Sequence, residues 1–337
     1  MIIVWRVTQH CNLSCPFCGY DRRLDRPRGV ADVKEVLRFG AVLADYQHST
    51  GEKVLVSWMG GEPLLWPPLR ELTELFACDF GLRVSTTTNG TPLASAMMRT
   101  HIIEHYRELT ISVDGIGRVH DDLRGWRGGF KHLRRAVRAL VAERQANGQG
   151  PLLRANVVLM RETMSSFERL CAELADWGID EITFNQLGGD DRPEFRAEHG
   201  LLPEDAEWLD ANLPRIRNDV ADRGVKLGGG AGYMRRLLAT ANGRRIPVAD
   251  CGPGEGFLFI NERGLASPCS FTENRYGVPL SEIESATALQ QLPRRFSGMR
   301  AALRASSCDD CHSTHVFEKF YAPLERASAK MAVTSTI

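Results

Sequence analysis

Short β-branched runs alternate with longer stretches of helical periodicity through the first 222 residues. The strand-like runs fall at 2–8, 53–58, 82–88, 109–113, 152–160 and 181–187. Each leads into an amphipathic stretch, at roughly 32–46, 68–77, 92–105, 129–147, 163–177 and 204–222. In the fifth of these, Phe167, Leu170, Cys171 and Leu174 recur at i, i+3, i+4 and i+7, one buried helix face. Pro203, Glu204 and Asp205 supply the proline and acidic residues that favour a helix start. Six β–α units in sequence predict an α/β fold with a parallel sheet and right-handed crossovers, either an open sheet or a partial TIM-like barrel. In both, chemistry belongs at the carboxyl ends of the strands. After Gly228-Gly229-Gly230 the pattern changes. The expected division is a β/α unit over 1–222, a linker over 223–250, a small cysteine-bearing region over 251–315 and a tail over 316–337.

The chain has 337 residues, 43% of them hydrophobic, enough for one large domain or one large and one small. Lys+Arg and Asp+Glu both total 42, and this balance argues against a general nucleic-acid binder. No run approaches the ~18 apolar residues of a membrane span, and no signal segment opens the chain. The nine cysteines are too few and too clustered for a secreted disulfide scaffold. A cytoplasmic protein without nucleic-acid or membrane partners is expected.

Seven of the cysteines form two groups. Cys11, Cys15 and Cys18 follow the first strand in a C-x3-C-x2-C spacing, which can wrap a loop around one metal centre. Zinc would want a fourth ligand, such as His10, whereas a [4Fe–4S] cluster with three thiolates leaves one iron open. After strand two stands Trp58-Met59-Gly60-Gly61-Glu62-Pro63, with glycines that permit close backbone approach and a carboxylate acceptor. After strand three comes Thr88-Asn89-Gly90, and after strand four Ser112-Val113-Asp114-Gly115, then His120-Asp121-Asp122-Leu123-Arg124.

Four such elements, in this order at successive strand ends, resemble the radical S-adenosylmethionine superfamily, over roughly residues 1–190. The resemblance implies a partial (β/α)6 barrel, with Phe17 in the aromatic position of the cysteine loop. It implies that Cys11, Cys15 and Cys18 hold a cluster to which S-adenosylmethionine binds. By the same resemblance Gly60, Gly61, Glu62 and Pro63 meet its methionine amino group, Asn89 the ribose, and Ser112 the ligand. Asp114 and Arg124 are equally open to a structural role.

The second group is Cys251, Cys269, Cys308 and Cys311, with a hairpin signal from Phe257 to Gly264 between its first two members. By spacing alone, structural zinc is a fair reading. Beside the first motif, the group resembles the twitch, or shortened SPASM, domain, which implies one fully protein-ligated auxiliary [4Fe–4S] cluster. Two clusters and S-adenosylmethionine are thus the expected cofactors. The spacing is similar to that of 2-deoxy-scyllo-inosamine dehydrogenase, which shares its two-electron oxidation with anaerobic sulfatase-maturating enzymes. It implies hydrogen abstraction from a small polar, sugar- or aminocyclitol-like substrate and a two-electron oxidation.

The alternative is modification of a ribosomal peptide, although the cysteine loop starting at residue 11 leaves no recognition domain expected ahead of it. A molybdenum-cofactor cyclase is disfavoured because the chain ends Thr334-Ser335-Thr336-Ile337 rather than in a Gly-Gly-Arg-like tail. A non-enzymatic iron–sulfur or zinc protein would have no use for the Gly-Gly-Glu-Pro text. Asn185, Gln186, Asp190 and Asp191 are candidates to line or flank the barrel mouth. The basic run with Arg22, Arg23, Arg26 and Arg28 is either a solvated face or a dock for an acidic electron donor such as flavodoxin or ferredoxin. His312 and His315 read as polar residues beyond the last cysteine. Cys78 and Cys171 read as buried apolar residues.

Overall fold

The computed structural model describes residues 1–188 and 191–320. The six predicted strands form as β1 (Ile2–Thr8), β2 (Leu55–Gly60), β3 (Arg83–Thr88), β4 (Glu108–Ser112), β5 (Leu152–Leu159) and β6 (Glu181–Gln186). They pair in parallel in sequence order, as a partial barrel requires. Along β5 burial alternates strictly: Leu153, Ala155 and Val157 are fully buried, whereas Arg154, Asn156 and Val158 are only half-buried. The first set packs with the helices in one continuous core. The second set shares the opposite face with Ser112 and Thr183, and that face is largely polar.

The helices follow the periodicity closely. Val33–Thr50 starts at Asp32, whose carboxylate accepts from the amides of Lys34 and Glu35, and stops at Gly51 in the left-handed region. Gly129–Asn147 buries Phe130, Leu133, Val137 and Leu140 on one face. Its first turn is capped by Asp121, which accepts from the amides of Gly128 and Phe130. The helix Leu69–Glu74 runs into a widened π turn, Leu75–Asp79, which buries Phe76 but leaves Cys78 exposed. The expectation of a buried Cys78 is corrected there. Cys171 is buried as expected.

Two features depart from the periodic reading. The stretch 223–250 carries β7 (Lys226–Leu227), which pairs with β6, and the helix Ala231–Ala241. Beyond it, β8 (Phe257–Ile260) pairs in parallel with β1, on the edge opposite β2. Strands β9 (Leu265–Ser267) and β10 (Val278–Pro279) then add antiparallel pairings, so that one ten-stranded sheet runs from β10 to β7. The cysteine-bearing region is therefore joined to the barrel through the sheet itself. Among the described residues, no helix is long and apolar enough to cross a membrane.

Candidate functional site

The cysteine loop leaves β1 and is held from four directions. Gly60 and Gly61 bring the end of β2 against its backbone: the amide of Gly61 donates to the Thr8 carbonyl at 2.9 Å and that of Glu62 to the His10 carbonyl at 2.8 Å. A β-carbon on Gly60 would lie 2.0 Å from the Thr8 oxygen, and one on Gly61 2.1 Å from the His10 oxygen. The glycines thus permit a close approach to the main chain that leads into the cysteine loop.

Glu62 is fully buried. Its carboxylate accepts from Thr88 Oγ1 at 2.8 Å, from the Asn89 amide at 2.6 Å and from the Leu64 amide at 3.2 Å. Burial pushes its carboxyl up to about 7 against these donors. Through these bonds the carboxylate ties the end of β2 to the loop after β3. Pro63, also buried, opens the short 3-10 turn that follows. Asn89 in turn reaches the cysteine loop: its amide nitrogen lies 2.9 Å from Asn12 Oδ1 and 3.7 Å from Cys11 Sγ.

The fourth support is an ion pair beneath the loop. Asp114 is fully buried and lies 2.6 Å from Arg124, itself almost entirely buried. Burial pushes the Asp114 carboxyl up, and Arg124 and the Val158 amide oppose that rise. The Arg124 guanidinium also lies 4.0 Å from Cys15 Sγ and 5.5 Å from the centre of the Phe17 ring. Its main-chain oxygen accepts from the Ser14 amide. Arg124 and Asp114 thus belong to the support of the cysteine loop, a role that the spacing of the motif alone left open. The signal was there in the basic residue at the end of His120–Arg124.

Burial raises the thiols of Cys11, Cys15 and Cys18, that of Cys15 to about 12. The amides of Leu13 and Tyr20 donate to Cys11 and Cys18 at 3.5 and 3.4 Å. Buried sulfurs with amide donors suit thiolates beside a cationic centre. Cys251, Cys269, Cys308 and Cys311 line one cavity with Pro253, Pro268, Phe271, Tyr276 and Val316. Burial raises three of those thiols, that of Cys311 to about 11. Among the described residues, no three His, Cys, Asp or Glu side chains are drawn close enough to grip a single ion. A cube of four irons spreads its thiolates more widely than one ion does. Both donor sets fit such a cluster in residue type, and the second also faces one shared cavity.

The candidates after β6 do not act as one group. Asn185 lies on the polar face, with its amide nitrogen 3.4 Å from Asn156 Oδ1 and its oxygen accepting from Tyr233. Gln186 points elsewhere, donating to Thr240 at 3.0 Å and lying 3.2 Å from His312 Nδ1, because alternation puts it on the face of Phe184. Asp191 is exposed and packs on Gly19 of the cysteine loop. Asp190 lies outside the described residues. Ser112 pairs in register with Asn156, and Asn156 with Thr183, one polar row across β4, β5 and β6. His315 stacks on Phe257. In the basic run, Arg23 pairs with Asp21 and Arg28 donates to the carbonyls of Gln9, Tyr20 and Asp21. Much of that run therefore holds its own loop.

A family model, Radical SAM superfamily, matches residues 5–174, about half of the chain. AdoMet-dependent heme synthase of Methanosarcina barkeri (strain Fusaro / DSM 804) is 31% identical over 41% of this chain and 38% of its own length. PqqA peptide cyclase of Xanthomonas euvesicatoria pv. vesicatoria (strain 85-10) is 24% identical over 82% of this chain and 69% of its own. The matched segment is less than half the length of the first two curated relatives. Among solved structures, native anSMEcpe with bound AdoMet and Kp18Cys peptide has a similar fold at a TM-score of 0.65 and 16% identity, over 94% of this chain and 88% of that one.

Proposed function

The chain belongs to the radical SAM superfamily, and from that premise we propose that it is a radical enzyme acting on a peptide. The single observation behind the peptide is the reach of the likeness to PqqA peptide cyclase, which covers about four fifths of this chain and so extends past the barrel. The similar fold of a peptide-bound structure, and a chamber face rich in amide and hydroxyl groups, agree with it. These favour the peptide over the sugar- or aminocyclitol-like molecule expected from cysteine spacing.

When bound, the [4Fe–4S] cluster and S-adenosylmethionine supply a hydrogen-abstracting 5′-deoxyadenosyl radical, and a second cluster would supply an electron acceptor. Cys11, Cys15 and Cys18 would hold the first, and Cys251, Cys269, Cys308 and Cys311 the second. Phe17 and Arg124 shape the floor of the loop. Gly60, Gly61 and Pro63 set the backbone edge beside the cosubstrate, and Glu62 holds that edge to Asn89. Ser112, on the polar row, faces the space where cosubstrate and substrate meet. The fourfold support keeps the loop in one geometry, which is the protein's share of such chemistry.

The test is anaerobic incubation of reconstituted protein with S-adenosylmethionine, reductant and either short peptides encoded beside its gene or aminocyclitols. A peptide that raises 5′-deoxyadenosine formation and returns with altered mass supports the reading. Stimulation by aminocyclitols alone reverses it.

A further inference from the structure

The described chain ends by crossing the polar face of the barrel. The amide of Gly229 donates to the Lys319 carbonyl at 2.9 Å and that of Gly230 to the Glu318 carbonyl at 3.1 Å. A β-carbon on Gly228 would lie 2.6 Å from the Lys319 oxygen. The triple glycine after β7 is thus a socket for this segment. Phe317 is buried in the core at one end. Glu318 has φ 55°, the one positive value outside glycine among the described residues, and it turns the next residue inward. Lys319 is 7% exposed, with its Nζ 2.7 Å from Asn156 Oδ1. That oxygen also accepts from Thr183 and Asn185. By register Asn156 stands beside Ser112.

We propose that Phe317–Phe320 is a wall of the reaction chamber and that Lys319 is a substrate-positioning residue, whose amine meets a carboxylate of the substrate. This rests on reading the polar face as the chamber. Asn156 is the one hydrogen-bond acceptor of the Lys319 amine among the described residues, and an ammonium has three N–H donors. The charged groups around it largely cancel: Arg154 is bridged to Glu108 at 2.9 Å and to Glu181 at 2.7 Å. Burial, helped by Arg154 and opposed by Glu181, brings the amine down to about 7. An arriving carboxylate would restore its charge.

The experiment is reductive dimethylation of the full-length reconstituted protein with formaldehyde and cyanoborohydride, from about pH 6 to 9. Peptide mapping reads Lys319 against the exposed Lys34 and Lys131. Lys319 should be modified with a midpoint near neutrality, well below the two references. S-adenosylmethionine should slow it several-fold, and glutarate, as the carboxylate probe, should slow it and move the midpoint upward. Gly228→Ala should return Lys319 toward the behaviour of the references. Absence of labelling at every pH would make the segment a sealed structural strap. Labelling indifferent to S-adenosylmethionine, in protein that binds it by equilibrium dialysis, would also overturn the placement. Indifference to glutarate would remove the carboxylate. If dialysis finds no S-adenosylmethionine bound, the proposed function is what fails, and the pH profile still decides the position of Lys319.

Discussion

The two cysteine regions are built in opposite ways. Cys11, Cys15 and Cys18 lie within eight residues, and their loop is gripped by buried polar groups from elsewhere: Glu62, Asn89, Asp114 and Arg124. The other four cysteines are scattered from 251 to 311 and meet in a cavity with prolines and aromatic rings in its wall. A cluster that must receive a charged cosubstrate needs donors and charges near its open iron. One closed by four thiolates needs mainly exclusion of water. On the proposed function, the contrast would separate a reactive centre from a supporting one.

The largest expected effect divides them. Changing Cys11, Cys15 and Cys18 together to Ala should abolish S-adenosylmethionine cleavage and remove about half of the roughly eight iron atoms. Cys308→Ala should remove the other half and leave cleavage to 5′-deoxyadenosine intact while product formation stops. Iron analysis and chromatography read both. Cleavage surviving in the triple variant would break the comparison, and zinc in place of the second iron share would turn the C-terminal region into a structural knuckle.

A smaller effect concerns the charges. Arg124→Met strands the buried Asp114 carboxylate, and loss of one partner of a buried pair costs about 3–5 kcal/mol. Asp250→Asn, beside the second group, should cost under about 1 kcal/mol, because Asp250 is 81% exposed and lies 3.7 Å from Arg300. Denaturant midpoints compare the two variants. Equal losses would mean that the first loop owes no more to its ion pair than the second does.

The smallest effect is a slope. Glu62 ionises at about 7 when folded, above the ordinary carboxylate value of 4.5. Folding therefore favours its protonated form. The stabilisation is complete below about 4.5 and is lost as pH rises through about 7, amounting to a few kcal/mol. Glu62→Gln should flatten this part of the stability–pH curve without removing iron, and an unchanged slope would mean that Glu62 is already ionised in the folded chain.

The six β–α units were legible in the sequence because β-branched runs and helical recurrence are written within windows of ten to twenty residues. The first cysteine loop was legible for the same reason: its ligands are neighbours in the chain. The bonds of Glu62 left no trace in the sequence, because its three donors come from two loops, and Thr88 and Asn89 lie on a different strand end. The glycines at 60 and 61 signalled a close approach, and the fold adds the main chain of residues 8 to 10 as a partner the sequence did not show. Cys78 was misjudged because the helix widens into a π turn over Leu75–Asp79, and that residue faces outward there.

By itself, then, the sequence determined the order of the elements, the buried face of the helix carrying Phe167, Leu170, Cys171 and Leu174, and the grouping of the cysteines. Tertiary structure alone decided that β8 lies beside β1 across some 250 residues of chain, that Arg124 sits under Cys15, and that the Gly228–Gly230 turn receives the segment carrying Lys319. The reason is physical. Periodicity records which side of an element is buried, whereas a contact between distant segments depends on the summed geometry of everything folded between them and leaves no local pattern in either.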